Sequence, residues 1–301
     1  MSLSFTIFKI LEKLTRKPLQ KNEMYLSDKG SEEVLDQTGR IASSSTKYEM
    51  NRDVSLGVVF ANFENSIAHS YWRTQELSLF NRAKDHFIAP VLDFGCGDGA
   101  FSACIFGRID LGVDIDQKAL KIAKGYGLYE KLFTFEDMIN EQEDQSVGTV
   151  FSCSVLEHTT HLQACIQQIA RVLRPGGKFY FSVPNAYLSQ QMTSLVDAEF
   201  ATYMNKRMYH RNLLNQSEWE KLLREHGLAI ETFISFQPVE YTRNYFSKSL
   251  LGNRGLGIIP GLRSLYLKLA MRKMLDDAAK SIDGTVLHGA NYYVVACKVA
   301  S

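Results

Sequence analysis

"VLDFGCGDGA", residues 91–100, sets three glycines and two aspartates directly behind a short apolar run. An apolar run that gives way to alternating glycines reads as a strand turning sharply into a helix, the place where an open α/β sheet binds a nucleotide. The flanking sequence supports that reading. "IDLGVDI" (109–115), "KLFTFED" (131–137), "GTVFSCSV" (148–155) and "KFYFSVP" (178–184) are further strand candidates. Helical patterns lie between them, at about 98–106, 117–127 and 161–173, the last stopped by "RPGG", and "SEWEKLLREHG" (217–227) reads as a later helix with an N-cap and a closing glycine. Strands alternating with helices at this spacing imply a doubly wound, mostly parallel sheet. Two later strands, "LAIETFISF" (228–236) and "NYYVVACKVA" (291–300), bring the total to seven. They are expected to form an antiparallel pair at the sheet edge, so the class is α/β with an antiparallel last strand and helical insertions.

The chain has 301 residues, 45% of them hydrophobic, enough for one large domain with additions. We read residues 1–85 as an N-terminal helical cap segment and 86–301 as the main domain, with insertions at about 185–211 and 240–290. A formal charge of +1 gives no global field for nucleic acid. Cys96, Cys104, Cys153, Cys165 and Cys297 form no CxxC pair, which fits reduced thiols of a cytoplasmic protein. His158 and His161 stand three apart with no other ligand type clustered nearby in sequence, so no metal is expected. The start of the chain lacks the pattern of a signal peptide, and no apolar run reaches the roughly 18 residues of a membrane span.

The acids decide which nucleotide the turn suits. Gly95, Gly97 and Ala100 fit the dinucleotide pattern G-x-G-x-x-A, and Asp114 lies 19 residues beyond Gly95. A diphosphate, however, would need the free N–H groups and positive dipole end of the helix that follows. Asp98 sits there and would compete for those donors as a cap, and Asp93 adds a second negative charge. S-adenosylmethionine removes the conflict. It carries a ribose and an adenine but no phosphate, and its sulfonium and amino groups are positive.

The ordered motifs carry a family resemblance. Asp93-Phe94-Gly95-Cys96-Gly97-Asp98-Gly99 resembles the D/E-x-G-x-G-x-G motif of class I S-adenosylmethionine-dependent methyltransferases. "GVDID" (112–116) and "FEDM" (135–138) resemble the second- and third-strand motifs. "SVLEH" (154–158) and "RVLRPGGKFYFSVPN" (171–185) resemble the small-molecule branch that includes quinone-biosynthesis methyltransferases. The resemblance covers about residues 88–185, with a weaker echo in 210–237 and 291–299, and implies a Rossmann-like methyltransferase fold.

It also implies roles. Gly95, Cys96, Gly97 and Gly99 would offer backbone to the cofactor, Cys96 packing as an inert thiol. Asp93 would order the turn and face the methionine amino end through loop N–H groups or water. Asp114 would accept the ribose hydroxyls, with Ile115 beside it. Asp137 would meet the adenine amino group and Met138 would donate its backbone N–H to the ring, the alternative for Asp137 being a solvated acid. Ser154 would offer backbone to the methionine moiety. His158 is read as a general base for a hydroxyl acceptor, or equally as a structural or substrate-orienting histidine. Tyr71, Trp72 and Arg73 are read as folding over the cofactor with an aromatic face near the sulfonium, or else Tyr71 and Trp72 simply pack a helix over 62–84.

The expected activity is therefore methyl transfer to a small or lipid-linked acceptor at oxygen or carbon. The alternatives are a cofactor-binding protein without turnover and an NAD-dependent dehydrogenase on a similar sheet. Residues 3–17 pattern as a basic amphipathic helix, and 241–275 hold seven basic residues and no acid. These stretches suggest peripheral contact with an anionic membrane or a grip on an acidic acceptor, against the alternative of a lid packed on the domain. No N-P-P-Y-type motif is present, so a nucleic acid acceptor is not expected.

Overall fold

A computed structural model describes residues 67–251 and 286–299. The expected basic helix at 3–17, the segment 18–56 and most of the basic stretch after Leu251 lie outside the described residues. The strands are β1 (Val91–Phe94), β2 (Ile109–Asp114), β3 (Tyr129–Thr134), β4 (Val147–Cys153), β5 (Leu173–Pro184), β6 (Leu228–Phe236) and β7 (Asn291–Lys298). They form one sheet in the order β3-β2-β1-β4-β5-β7-β6. Neighbours from β3 through β5 pair in parallel. β7 runs antiparallel to both β5 and β6, so the expected antiparallel pair exists, with β6 at the edge and β7 inserted beside β5.

The helices are α1 (Ile67–Ala83), α2 (Ala100–Ala103), α3 (Gln117–Gly125), α4 (Phe135–Glu141), α5 (Leu162–Val172), α6 (Ala186–Leu195), α7 (Ala198–Arg207), α8 (Gln216–Glu225) and α9 (Val239–Leu251). Successive strand residues point to opposite faces, and this alternation divides the core in two. Val150, Phe179, Phe181 and Val294 face one side, under Ile166 and Ile169 of α5 and Trp219 and Leu223 of α8. Phe151, Tyr180, Tyr293 and Val295 face the other, under Tyr71, Leu77 and Phe80 of α1. α1 thus completes the second face of the sheet. Tyr71 is fully buried and stacks on Tyr241 of α9 with ring centroids 4.2 Å apart. Trp72 meets Tyr245 edge-on at 4.9 Å. The helix-packing alternative therefore describes this pair, and the buried Tyr71 ring has no face left for a sulfonium.

Local chemistry moved three boundaries from their expected places. The helix after the glycine turn starts at Ala100 and spans only Ala100–Ala103, because the left-handed Gly99 precedes it. The third strand stops at Thr134, where Thr134 and Asp137 form a reciprocal capping box that opens α4. α8 is capped by Asn215, which pairs with Glu218, and begins at Gln216. The insertion 185–211 supplies α6 and α7, whose Met192, Phe200 and Met204 cluster with Phe246 of α9. The described part of the basic stretch therefore packs on the domain as the lid alternative expects, with Arg243 exposed.

Phe151 lies at the centre of the α1 face, fully buried, with ring neighbours Phe80, Phe87 and Phe106. Phe151→Ala should lower unfolding free energy by about 3–5 kcal/mol. Chemical denaturation measures it, and a loss below about 1 kcal/mol would contradict this account of the core.

Candidate active site

The sheet order reverses between β1 and β4, and the crevice outside their carboxyl ends is where open α/β sheets hold ligands. The glycine turn occupies it. Gly95, Gly97 and Gly99 have φ of 81°, 55° and 83°, the left-handed region open to glycine without strain. A Cβ at Gly95 would come within 2.4 Å of the Val155 side chain. The turn consumes its own donors. Gly95 and Cys96 both donate N–H to the Val113 carbonyl, at 2.8 and 3.0 Å. Gly97 N donates to Asp114 Oδ2 at 2.8 Å, Gly99 N to the Cys96 carbonyl at 3.0 Å, and Ala100 N to Asp98 Oδ1 at 3.0 Å. A diphosphate would find these five N–H groups already bonded and three carboxylates beside them.

Asp114 also accepts from Asp116 N through Oδ1, at 2.9 Å, so both oxygens are fixed by backbone. Each retains a lone pair for a further donor. Burial raises the pKa of Asp114, and of Asp98 likewise. Ile115, next in the chain, is 78% exposed, an apolar side chain left uncovered at the sheet's carboxyl edge.

Asp93 is anchored differently from expectation. Its Oδ2 accepts from Ser102 Oγ at 2.5 Å and Tyr129 Oη at 2.7 Å, so it ties α2 and β3 together through hydroxyls; the loop N–H groups go to Val113 and Asp114. Burial raises its pKa to about 7, against the lowering effect of the two hydroxyl donors. Cys96 is buried, and burial drives its thiol pKa well up, so it packs as an inert side chain.

The third-strand residues are employed in ways the motif did not indicate. Asp137 Oδ2 accepts from Thr134 Oγ1 at 2.6 Å, so this oxygen closes the capping box that opens α4. Met138 turns its side chain fully into the core. Its backbone falls inside the first turns of α4.

At the end of β4, Ser154 adopts φ 52° and donates its N–H to the Ser182 carbonyl at 2.9 Å. Its Oγ donates to Glu76 Oε1 at 2.7 Å. The same buried Glu76 oxygen accepts from Ser182 Oγ at 3.1 Å, and its other oxygen pairs with Arg73 Nη1 at 2.9 Å. Burial opposes the Arg73 charge, but Glu76 outweighs it and raises the pKa. Arg73 lies over the Phe101 ring, 5.8 Å from its centroid. Sequence reasoning singled out Arg73 and passed over Glu76; the i,i+3 spacing "RTQE" was the available signal.

Beyond the Val155 that packs on Gly95, Glu157 and His158 lie in the short 3-10 helix Leu156–His158 that follows β4. Glu157 is 1% exposed, and burial raises its pKa to about 8. His158 Nε2 lies 3.4 Å from Glu157 Oε1. Burial lowers the His158 pKa, which keeps the ring neutral at pH 7. His210, from the insertion, brings its ring to 5.4 Å from that of His158. Burial, then His158, lowers its pKa to about 3. His161, the sequence neighbour considered with His158, stands instead at the start of α5.

This sheet order, with a donor-depleted glycine turn lined by carboxylates, defines a class I S-adenosylmethionine-dependent methyltransferase. Comparison with known proteins agrees: a family model described as a methyltransferase domain matches residues 67–232. A relative named ubiquinone biosynthesis O-methyltransferase, from Chromobacterium violaceum, is 29% identical over 205 residues, 60% of this chain and 87% of the relative. One of the same name from Coxiella burnetii (strain RSA 331) is 30% identical over 198 residues, 58% of this chain and 85% of the relative. A solved S-adenosylmethionine-dependent methyltransferase from Thermotoga maritima superposes with a TM-score of 0.49 at 13% identity, covering 88% of this chain and 99% of that one. The chain belongs to this methyltransferase family. It is an enzyme, and S-adenosylmethionine is its cofactor.

The residues present fit that cofactor, because the turn has spent the donors a phosphate requires and keeps negative charge for a cation. Gly95→Ala should weaken S-adenosylhomocysteine binding at least about tenfold, since a clash and a strained φ are added together. Pairing it with Val155→Ala should recover only part, because the φ penalty remains. Isothermal titration checks both; unchanged affinity in Gly95→Ala would contradict the geometry.

Proposed function

We propose that the enzyme methylates a hydroxyl oxygen of a small or lipid-linked acceptor. The observation that carries this reading is the partly exposed His158 beside Glu157 at the carboxyl edge, three residues beyond the Val155 that meets Gly95. An alcohol or phenol must lose its proton as it attacks, whereas a thioether or free amine need not. His158 is the residue positioned to activate that oxygen. The names of the Chromobacterium and Coxiella relatives support oxygen as the acceptor atom.

When bound, S-adenosylmethionine supplies an activated methyl carbon. The chain's residues align and desolvate it. Asp114 takes the ribose hydroxyls on its remaining lone pairs, and Ile115 lies against the adenine. Asp137 retains Oδ1 for the adenine amino group, both of its bonds to Thr134 falling on Oδ2. The turn and the Ser154 backbone hold the methionine part, with Asp93 as the nearest buried negative charge. An acceptor on a lipid tail fits the seven bases without an acid between 241 and 275. No helix among the described residues is long and apolar enough to cross a membrane, so such an acceptor would be reached from the bilayer surface.

Two outcomes follow. Purified enzyme with methyl-tritiated S-adenosylmethionine should label catechol-type acceptors, and His158→Ala should cut turnover at least about 100-fold with cofactor affinity unchanged. Labelling of amine acceptors alone would contradict the reading. Asp93, at about 7, is half protonated near neutrality. The positive amino group of the ligand favours the ionised form, so binding releases a proton and tightens as pH rises. Affinity for S-adenosylhomocysteine should increase up to about tenfold from pH 6 to pH 8. Asp93→Asn should flatten that dependence, and a wild-type affinity independent of pH would exclude Asp93 from the role.

A further inference from the structure

We propose that Glu157, His158 and His210 form a divalent-cation site on the acceptor side of the methyl-transfer centre. This rests on the oxygen-methylation reading and gives His158 its means of activating the acceptor: it works as a ligand, and the cation lowers the pKa of the hydroxyl.

The geometry carries the assignment. One ligand atom from each residue lies within 4.8 Å of the others. Two imidazoles and a carboxylate, with positions left open, are a donor set that zinc and ferrous or manganous ions accept. Ligand bonds of about 2.0–2.2 Å would need these atoms to close by roughly 1 Å, within reach of side-chain rotation. Glu157 supplies the second observation. It is 1% exposed, yet its Oε2 has no hydrogen-bond partner, which leaves a buried polar oxygen uncompensated at the point where a cation would satisfy it.

The outer contacts are also in place. Metal-ligating histidines usually hold their second nitrogen on an oxygen, which fixes the ring. His210 Nδ1 stands 3.0 Å from Asn205 Oδ1, and His158 Nδ1 stands 3.4 Å from the Tyr209 carbonyl. Both rings thus keep Nε2 for the shared space. The loop that delivers His210 is pinned to the Glu157 segment. Arg211 N and Asn212 N both donate to the Glu157 carbonyl, at 2.7 and 3.0 Å. Asn212 Nδ2 donates to the carbonyls of Leu156 and Thr159, at 2.9 and 2.7 Å. Tyr209, just before His210, holds φ 56°, a left-handed backbone uncommon for tyrosine and concentrated at functional sites. Arg73 is the nearby charge that opposes a cation, and its pairing with Glu76 offsets it.

The transfer then balances simply. The acceptor oxygen forms its bond to the methyl carbon as the carbon–sulfur bond breaks. The electron pair goes to sulfur, giving the neutral thioether, and the hydroxyl proton leaves to solvent.

Chelator-treated enzyme titrated with Zn2+ and, separately, Mn2+ tests the site by calorimetry and by metal content after gel filtration. Wild type should retain about one equivalent of at least one of the two ions. His210→Ala and Glu157→Gln should each bind it at least about tenfold more weakly. His161→Ala should bind like wild type, and S-adenosylhomocysteine affinity should be unchanged in His210→Ala. Equal metal binding by wild type and His210→Ala, or an equal loss in His161→Ala, overturns the proposal. His210→Ala removes a half-buried side chain, so it keeps the test valid even if Glu157→Gln misfolds. Wild type that binds metal but not S-adenosylhomocysteine would keep the site and sink the methyl-transfer reading instead.

Discussion

The shared acceptance of two N–H groups by the Val113 carbonyl is the contact on which the site depends. Gly95 and Cys96 both reach across from the end of β1 to the end of β2, and Asp114 continues the seam by taking Gly97 N. This stitches the turn to the neighbouring strand and forces the left-handed backbone that glycine supplies. It also settles the chemistry of the crevice. A turn that cradles phosphate keeps its N–H groups free for the ligand. Here Gly95, Cys96, Gly97, Gly99 and Ala100 all donate within the protein, and Asp93, Asp98 and Asp114 remain as negative lining. The same seam that makes the fold local and tight therefore selects a cationic nucleoside over a diphosphate.

The other half of the site is assembled over longer distances. Glu76 of α1 ties Ser154 and Ser182, at the ends of adjacent strands β4 and β5, to one buried carboxylate. Arg73 completes the pair. Beyond it, the loop after α7 is clamped onto the Glu157 carbonyl, which carries His210 to the rim beside His158. The proposed cofactor side thus runs through one stretch from Asp93 to Ser154, and the proposed acceptor side draws on α1, the β4 end and an insertion. That division suits a fold whose donor is constant and whose acceptors differ.

The cofactor side was legible in the sequence for the same reason. Short continuous apolar runs such as Phe179–Tyr180–Phe181 announce strands buried on both faces, and glycines between aspartates announce the turn. All seven strands and the parallel core follow from such local patterns. Boundaries shifted where a side-chain cap competed with the strand or helix period, as at Thr134 and Asn215. Asp137 shows what the motif left out: one of its oxygens closes the capping box with Thr134. His210 was hidden because 52 residues separate it from His158, and only the fold of the insertion closes that gap. Tyr71 and Trp72 were visible as an aromatic pair, but their packing partners Tyr241 and Tyr245 lie far along the chain.

The central claim is electrostatic and concerns the turn alone. Side-by-side calorimetric titration of the purified enzyme with S-adenosylhomocysteine and with NAD+ tests it most directly. The account predicts a binding isotherm near one equivalent for S-adenosylhomocysteine and no measurable heat from NAD+ at the same concentrations. Binding of NAD+ as tight as that of S-adenosylhomocysteine would show that the crevice admits a diphosphate and would contradict the account.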